Sequence, residues 1–536
     1  MIVPPFFLYA ETHYRFKYFF SFLKKNEPEI IADAPHRLDP DSPLPVMLLV
    51  KDAHHYPISL TGALFTVKKK GATQFVFSFL PEEPIVITGK FWWKIIDIPF
   101  DGDQKDLFGR IDVTVTMKIE QNGKTKIITT NNHRTSSKLP LSVYRSADHL
   151  PSFPGWIFGD AHTHSTYTDD QVEFGSPVPA GPKLCKAMGL SFFCVTDHSY
   201  DLDDSLDSYL INDPFLPKWK LFQDEVYSVN QGETDFAVIR GEEVTCRNSD
   251  HHNVHLLLLG TRSYFHGSGD SAEQWLNTRS ENSVAEVLTA AEGNVASYAA
   301  HPTEEVPLLQ KLLINRGEWT KKDMNEPALH GIQILNGEHS EHFVYGMDVW
   351  KWLLLKGEKK FILAGNDAHG NYNRFVQIGI PFFAIREKET QLFGKMKTAV
   401  FATPSEESIV NGLQKGKTVI TNGPLLTIEL ETDGGTVGTI GDSIRGKRFL
   451  VKVRAQSTAE YGKLRSIRLY QGIIGKKEKE FRTLRTFGDP LHAHFITDWE
   501  SVENFSYIRA ELMTKEADGS DVDGFCYTNP IWIQPA

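Results

Sequence analysis

Apolar runs in the middle of the chain alternate with stretches that have helical spacing. Seven short runs have the length and composition of buried strands: 156–161, 191–196, 236–241, 254–259, 295–300, 330–335 and 361–366. Segments between and after them carry helical periodicity, at 214–231, 272–293, 342–358 and 405–415. Because strands that alternate with helices are typical of a parallel sheet, the pattern predicts an α/β barrel over residues 151–423.

The flanking regions have a different pattern, with short alternating strands and little helical spacing. Residues 56–69 and 111–130 are strand-like, and the second segment contains an Asn-Gly hairpin signal. A mainly β domain is therefore expected over residues 1–150, with its first 40 or so residues unassigned. After the turn at 422–424 the strands return, separated by Gly-rich turns, and this predicts a β-sandwich-like domain over 424–536.

Composition narrows the class of protein. The chain of 536 residues is 41% hydrophobic and 23% charged, which is typical of a folded protein with several domains. Its formal charge of -11 provides no basic surface for a nucleic acid, so no nucleic-acid polymer is expected as a partner. Its four cysteines form no CxxC pair, which argues against a disulfide framework and a thiolate zinc site.

The amino terminus and the apolar runs indicate where the protein resides. The first twenty residues contain prolines, Glu11 and His13, and they lack the basic start and clean apolar stretch of a signal peptide. No run approaches the roughly 20 apolar residues that a membrane-spanning helix requires. We therefore expect a cytoplasmic protein without a membrane partner; the sequence does not specify the oligomeric state.

Potential metal ligands follow the apolar runs of the central region. His162 and His164 are two residues apart, so on a strand their imidazoles point the same way and can bind one ion. Other runs end in further candidates: Asp197, His198, Glu243, His301, Asp367 and His369. In barrels of strands and helices the carboxyl ends of the strands meet at one face, so these side chains are expected to converge.

The motifs that carry these residues resemble a known family. DAHTHS, VTDH, GEEVT, HLLLLG, AHP and NDAH occur in this order, as in the PHP (polymerase and histidinol phosphatase) superfamily. KTVITNGPLL and FSYIRAELM are more specifically similar to its carbaryl-hydrolase-type branch. The resemblance implies a distorted seven-stranded (β/α) barrel, flanked by N- and C-terminal β-sandwich-like domains, that holds two or three divalent metal ions.

The same resemblance implies a ligand set for each ion. The first site would comprise His162, His164, Glu243 and Asp367; the second would comprise Glu243 as a bridge, His255 and His301; the third would comprise Asp169, His198 and His369. Two positions have neighbours of the same type, because Asp170 follows Asp169 and because His251 and His252 lie close to His255. Glu243, Asp367 and His198 are the expected catalytic residues.

Two further residues are candidates for binding substrate. Arg374 could hold a phosphate or carboxylate through its planar guanidinium, although a surface arginine is the alternative. His339 lies beyond the sixth strand run and could line the pocket, although its neighbourhood also resembles a polar loop before a helix.

The ligand types and the resemblance together lead to an expected function. Imidazole and carboxylate ligands without thiolate suit Mn²⁺, Zn²⁺ or Fe²⁺. We expect a metal-dependent hydrolase that activates water against a small anionic phosphoester. One alternative is a hydrolase of carboxylic esters, carbamates or amides, and a second is a non-catalytic binding protein that the metal stabilises.

Overall fold

The computed structural model describes most of the chain in several ranges. These are residues 27–132, 136–168, 175–271, 277–374, 377–380, 383–386, 391–500, 504–519 and 523–535. Within them, 44% of residues lie in strands and 15% in helices. The protein is therefore built mainly from β-sheet, and helices contribute less than an α/β barrel requires.

In its described residues, the N-terminal region consists of strands and one short 3-10 helix at Gly102–Gln104. Its strands are β1 Glu29–Asp33, β2 Arg37–Leu38, β3 Leu44–Lys51, β4 Ile58–Lys69, β5 Ala72–Phe79, β6 Ile85–Ile87, β7 Phe91–Ile98, β8 Gly109–Gln121, β9 Lys124–Thr129 and β10 Leu141–Arg145. One sheet has the order β1-β3-β7, and a second has β2-β10-β8-β4-β5 with β6 and β9 attached. Alternate residues of β8 from Ile111 to Ile119 are buried, and they share a core with residues of β3.

The central region contains all seven α-helices of the described residues. Its strands are β11 Trp156–Thr163, β12 Phe192–Val195, β13 Asp204–Ser205, β14 Ser208–Asn212, β15 Ala237–Arg247, β16 Asn253–Leu259, β17 Ala296–Ala299, β18 Gly331–Asn336, β19 Phe361–Gly365, β20 Gln377–Ile380, β21 Phe383–Arg386, β22 Lys397–Phe401 and β23 Thr418–Thr421. Its helices are α1 Gly181–Ala187, α2 Ser199–Leu202, α3 Pro217–Gly232, α4 Val284–Ala290, α5 Leu308–Leu313, α6 Glu341–Leu355 and α7 Glu406–Gln414, with 3-10 turns at Val178–Ala180 and Asp323–Asn325.

The C-terminal region returns to strands alone in its described residues. These are β24 Leu425–Thr432, β25 Val437–Thr439, β26 Ser443–Arg445, β27 Arg448–Gln456, β28 Lys463–Ile473, β29 Glu478–Leu484, β30 His492–Glu500, β31 Ser506–Lys515, β32 Phe525–Thr528 and β33 Ile531–Gln534. Strands β25, β24, β27 and β30 form a separate four-stranded sheet. The others join the sheet of the central region.

That joined sheet corrects the expected architecture. Its order is β19-β18-β17-β16-β15-β12-β11-β22-β23-β32-β31-β28-β29, so the central strands continue without interruption into the C-terminal strands. The pairs β15·β16 and β16·β17 are antiparallel, as is β11·β22. The prediction of a distorted seven-stranded (β/α) barrel, flanked by N- and C-terminal β-sandwich-like domains, is therefore wrong, and a long curled sheet of mixed direction takes the place of the barrel.

A short connection explains the antiparallel pair at the centre of this sheet. Only residues 248–252 separate β15 from β16, and Arg247 pairs directly with Asn253. A parallel crossover needs a dozen or more residues, so five residues permit only a hairpin. The curl of the sheet brings its far end back towards β11, where the backbone N–H of Asp367 donates to the carbonyl of His162 over 2.9 Å.

The seven predicted strand runs each overlap an observed strand, and the predicted helices are confirmed in part. Helices α3, α6 and α7 match three predictions closely. The fourth, 272–293, is shortened to α4, and its residues 272–276 lie outside the described ranges. No described helix has the length and apolar character needed to cross a membrane.

A buried ion pair joins the N-terminal and C-terminal regions. The Nε of Arg37 lies 2.9 Å from Oε2 of Glu460, and both side chains are almost fully buried. Arg37 also pairs with Asp39 and donates to the carbonyl of Met188 over 2.7 Å. One guanidinium therefore fastens three parts of the chain.

Replacement of Arg37 should destabilise the protein more than loss of a surface charge. Arg37→Met leaves the buried Glu460 carboxylate without its partner, which costs about 3–5 kcal/mol for such pairs. We expect a lower denaturant midpoint in equilibrium unfolding, and we expect Arg37→Met/Glu460→Met to recover part of the loss. A single variant as stable as the parent would contradict this role.

Candidate metal centre

The candidate ligands of the central region meet at one place in the structure. They come from β11, from the residue after it, from the residues that follow β12, β17 and β19, and from the interiors of β15 and β16. The set that the structure brings together is His162, His164, His198, Glu243, His255, His301, Asp367 and His369. Burial is nearly complete for these side chains apart from a small exposed part of His301 and His369. The strand ends and the central hairpin thus form a buried cluster of imidazoles and carboxylates.

Glu243 lies at the centre of this cluster and uses both carboxylate oxygens. Its Oε1 is 2.7 Å from Nδ1 of His255 and 3.2 Å from Nε2 of His301. Its Oε2 is 3.2 Å from Nε2 of His162, 3.3 Å from Nε2 of His164 and 3.2 Å from Nδ1 of His198. The two oxygens therefore face different sets of ring nitrogens, which is the arrangement expected of a carboxylate that bridges two ions.

Asp367 and His369 complete the other side of the cluster. The Oδ1 of Asp367 lies 3.0 Å from Nε2 of His164 and 3.3 Å from Nε2 of His162. The ring of His369 stacks on that of His164, with 4.1 Å between centroids. Asp367 has a φ of 51° and His301 a φ of 28°, a backbone region that residues other than glycine seldom adopt. Such conformations concentrate at functional sites, where the surrounding structure holds them.

Three groups of donor atoms in this cluster are compact enough to hold an ion. Within each group the donor atoms lie within 4.8 Å of one another: His162, His164, Glu243 and Asp367; His198, Glu243 and His255; His164, His198 and His369. The first set coincides with the first predicted site. His198 also approaches the second site, for which the resemblance implied Glu243, His255 and His301. Asp169 and its alternative Asp170 lie outside the described residues.

Charge and burial set the protonation of the cluster. Burial alone would raise the pKa values of Glu243 and Asp367, but the surrounding histidines hold both well below their usual range. For histidine, burial acts in the opposite direction: it lowers the pKa of His198 and brings that of His369 to about 3. Burial opposes protonation of His162 and His164 as well, but Glu243 and Asp367 raise the pKa of both rings. A divalent metal requires ionised carboxylates and neutral imidazoles, so an ion would have to displace protons from these two rings.

The donors fit a divalent cation on structural grounds. Both ring nitrogens of His198 are buried, and neither makes a well-aligned hydrogen bond among the described residues, although Nδ1 lies 3.2 Å from Oε2 of Glu243. A buried polar atom without a partner costs free energy, so such atoms call for an explanation such as an ion. Imidazole and carboxylate donors at these spacings suit Mn²⁺, Zn²⁺ or Fe²⁺.

A second layer of residues orients the histidines. Asp270 accepts from Nε2 of His255 over 2.8 Å, and Arg316 and Thr245 also donate to Asp270. Gln333 lies 2.8 Å from Nδ1 of His162. Contacts of this kind select the ring nitrogen that is left to face an ion.

Two buried aspartates hold the backbone around the first motif. Asp160 accepts from the backbone N–H of His162 over 3.2 Å and from the side-chain amide of Asn366 over 2.7 Å. Burial raises its pKa to about 6. Asp197 accepts from the backbone N–H and the hydroxyl of Ser165, each over 2.7 Å. Both carboxylates therefore fix the loop that presents His162 and His164.

The remaining predicted residues lie elsewhere. Arg374 is buried against Asp33 of β1, with 3.3 Å between Nε and Oδ2, so it is not a surface arginine. His339 lies 3.1 Å from the hydroxyl of Tyr527 and packs on Phe343. His251 and His252 are exposed in the hairpin turn, and His255 is the histidine of that segment that reaches Glu243.

An open cleft adjoins the cluster beside His255 and His301. Its walls include Glu304, Glu305, Arg316, Glu318 and Trp319. The cleft therefore places charged side chains beside two of the clustered histidines.

Comparisons with known proteins do not assign a family. No family model matches the chain, and no curated protein matches it. Among solved structures, it aligns with Bacteroides uniformis β-glucuronidase 2 bound to cyclophellitol-6-carboxylate aziridine at 10% identity and a TM-score of 0.19, covering 96% of this chain and 62% of that one. It aligns with β-D-mannosidase from Dictyoglomus thermophilum at 8% identity and a TM-score of 0.23, covering 93% of this chain and 66% of that one.

A third alignment is to a Paenibacillus cycloisomaltooligosaccharide glucanotransferase complexed with cycloisomaltoheptaose. It has 10% identity and a TM-score of 0.17, and it covers 94% of this chain and 71% of that one. The chain thus spans less than two thirds of the first two proteins. TM-scores this low do not demonstrate a shared fold, so the activities of these proteins do not transfer to this chain.

These findings correct the family and the functions inferred from it. No family model matches the chain, and the observed sheet is not the expected seven-stranded (β/α) barrel. The assignment to the PHP superfamily and its carbaryl-hydrolase-type branch is therefore wrong. The phosphoesterase expectation and its two alternatives, the ester, carbamate or amide hydrolase and the non-catalytic binding protein, are withdrawn with it.

The cluster predicts how metal affinity changes with pH. Burial opposes protonation of His255, yet Glu243 and Asp270 raise its pKa to about 9, so the metal-free protein holds a proton there at neutral pH. An ion must displace that proton, and its affinity should rise with pH between 6.5 and 9, by up to about tenfold per pH unit for one proton. Calorimetric titration with Zn²⁺ at several pH values measures this slope.

The matched variant is His255→Gln, which removes the titrating ring. Its affinity should be weaker and should depend less steeply on pH. A parent protein whose affinity stays constant from pH 6.5 to 8.5 would contradict the expectation.

Proposed function

We propose that this protein is a metal-dependent enzyme that acts on a small molecule at a centre of two or three divalent ions, Mn²⁺, Zn²⁺ or Fe²⁺. The observation that carries the proposal is the placement of Glu243. Its two buried oxygens face two sets of imidazoles, and Asp367 supplies a second carboxylate on one side. A purely structural carboxylate would not need five histidine rings around it.

The residues of the chain have separate parts in this proposal. His162, His164 and Asp367 would hold one ion, and His255 with His301 or His198 would hold another, with Glu243 shared between them. His164, His198 and His369 are the donors for a third. When bound, such ions act as Lewis acids and lower the pKa of coordinated water.

The cleft supports a small substrate beside these ligands. His255 and His301 belong both to the cluster and to the cleft wall, so a molecule in the cleft would lie next to the ions. Three glutamates and one arginine line the same space, which makes its wall strongly polar. Polar side chains around a concave site fix the orientation of a ligand.

Metal analysis tests the centre. After loading with Mn²⁺, Zn²⁺ or Fe²⁺ and exhaustive dialysis, the parent protein should retain at least two ions per chain by mass spectrometry. Glu243→Gln removes the charge of the shared ligand, so we expect it to lose at least one ion and to bind the rest at least tenfold more weakly. Glu292→Gln, an exposed position after α4, is the matched control and should bind as the parent does. A parent protein without retained ions would refute the proposal.

Activity assays test the second claim of the proposal, that the metal centre catalyses a reaction of a small molecule. Any turnover that the loaded protein shows on a panel of chromogenic small molecules should stop with a chelator and return with the metal. The Glu243→Gln variant should be inactive on the same compounds. Turnover that persists without metal would show that the reaction occurs elsewhere on the protein.

A further inference from the structure

A chain of hydrogen bonds leads from the metal centre to the cleft wall. The Nδ1 atom of His162 is 2.8 Å from Oε1 of Gln333. The Nε2 of Gln333 donates to Oδ1 of Asn336 over 3.1 Å, and the Nδ2 of Asn336 donates to Oε1 of Glu304 over 2.8 Å. Three side chains that are not candidate metal ligands thus connect His162, which is one, to the cleft.

The fold makes this path possible. Gln333 and Asn336 lie on β18, and Glu304 follows β17, its parallel neighbour. Gln333 is fully buried and cannot exchange its partners for water. Glu304 is one of the residues that line the cleft. The path therefore begins in the buried cluster and ends at a residue that a small molecule in the cleft can contact.

The carboxylate of Glu304, at the end of the path, determines which atom donates and which accepts in each hydrogen bond. A carboxylate only accepts hydrogen bonds, so Glu304 fixes the amide of Asn336 with its nitrogen outward and its oxygen towards Gln333. Gln333 then donates to Asn336 and presents its oxygen to His162. That oxygen can only accept, so Nδ1 of His162 must carry the proton.

The consequence falls on the opposite ring nitrogen. With a proton held on Nδ1 by Gln333, Nε2 is the nitrogen that faces Glu243 and Asp367, 3.2 and 3.3 Å away, and it is the one that an ion can bind once its own proton is displaced. This is the nitrogen that the first group of metal donors uses. The hydrogen-bond chain therefore selects the tautomer that can bind an ion.

We propose that Gln333, Asn336 and Glu304 are positioning residues that hold His162 in its metal-binding tautomer and link that ligand to the cleft. The inference rests on the proposed metal centre. It adds that a charge change at Glu304, in the cleft, alters metal affinity although Glu304 does not touch the ion.

Metal affinity and the Co²⁺ spectrum test this link. Gln333→Met keeps the size of the side chain and removes both hydrogen bonds, and we expect 10- to 100-fold weaker binding of one ion in a chelator competition, as for other partners of metal-bound histidines. The visible absorption of the Co²⁺-loaded protein should change with it. Gln414→Met is the matched control, because Gln414 bonds only to the backbone of Val295 among the described residues, and it should bind as the parent does.

A double-variant cycle tests Glu304, the residue at the cleft end of the hydrogen-bond path. Glu304→Gln should weaken binding of the same ion by a smaller factor, two- to tenfold, since the charge is lost but an acceptor remains. Gln333→Glu can accept from His162 but, as a carboxylate, cannot donate to Asn336. In that background Glu304→Gln should have less than a twofold effect; equal effects in both backgrounds would overturn the link.

The outcomes separate this inference from the proposal beneath it. A parent protein that binds no metal refutes the metal centre itself. A parent that binds metal while a folded Gln333→Met variant matches its affinity and Co²⁺ spectrum overturns the positioning role alone. If Gln333→Met does not fold, the Gln333→Glu cycle still decides.

Discussion

The buried carboxylate of Glu243 is the constraint on which the centre of this structure depends. An ionised carboxylate removed from water costs several kcal/mol unless charge or hydrogen bonds compensate it. Glu243 is fully buried in the interior of β15, and five histidine rings supply that compensation from four different segments. Its burial therefore requires the segments around it to be in place together, which couples formation of the cluster to folding of the sheet.

The sheet makes this convergence possible by combining two kinds of strand pairing. Parallel neighbours such as β11 and β12 place the residues that follow them at one edge. The antiparallel β15·β16 hairpin then sets Thr245 opposite His255, so that His255 projects into the cluster two residues from Glu243 in register. A purely parallel arrangement would bring only strand ends to the site, whereas the hairpin adds ligands from the interiors of two strands.

The sequence indicated the strands and the ligand types better than the pairing between strands. Apolar runs locate buried strands because burial on both faces leaves no alternation to misread, and all seven runs were correct. The relative direction of β15 and β16 was predicted wrongly, because the five residues 248–252 that join them are too few for a parallel crossover. Most histidines could be identified because they follow apolar runs, but Gln333 and Asp270 could not. Neither a glutamine within a strand nor an aspartate in a loop has a pattern that distinguishes an orienting role.

The ends of the curled sheet show why backbone geometry matters as much as side-chain type. Asp367 has a left-handed backbone, its N–H donates to the carbonyl of His162, and the carbonyl of Ala368 accepts from the N–H of His164 over 2.8 Å. These two bonds fasten the segment after β19 to the His162–His164 pair. Because Asp367 turns the chain sharply, its carboxylate faces Nε2 of His164 while His369, two residues later, stacks on the same ring. In an extended strand, residues two apart would point the same way and would approach His164 from one side. The strained turn thus lets one segment supply two donors in different directions, and the interstrand hydrogen bonds hold the turn in place.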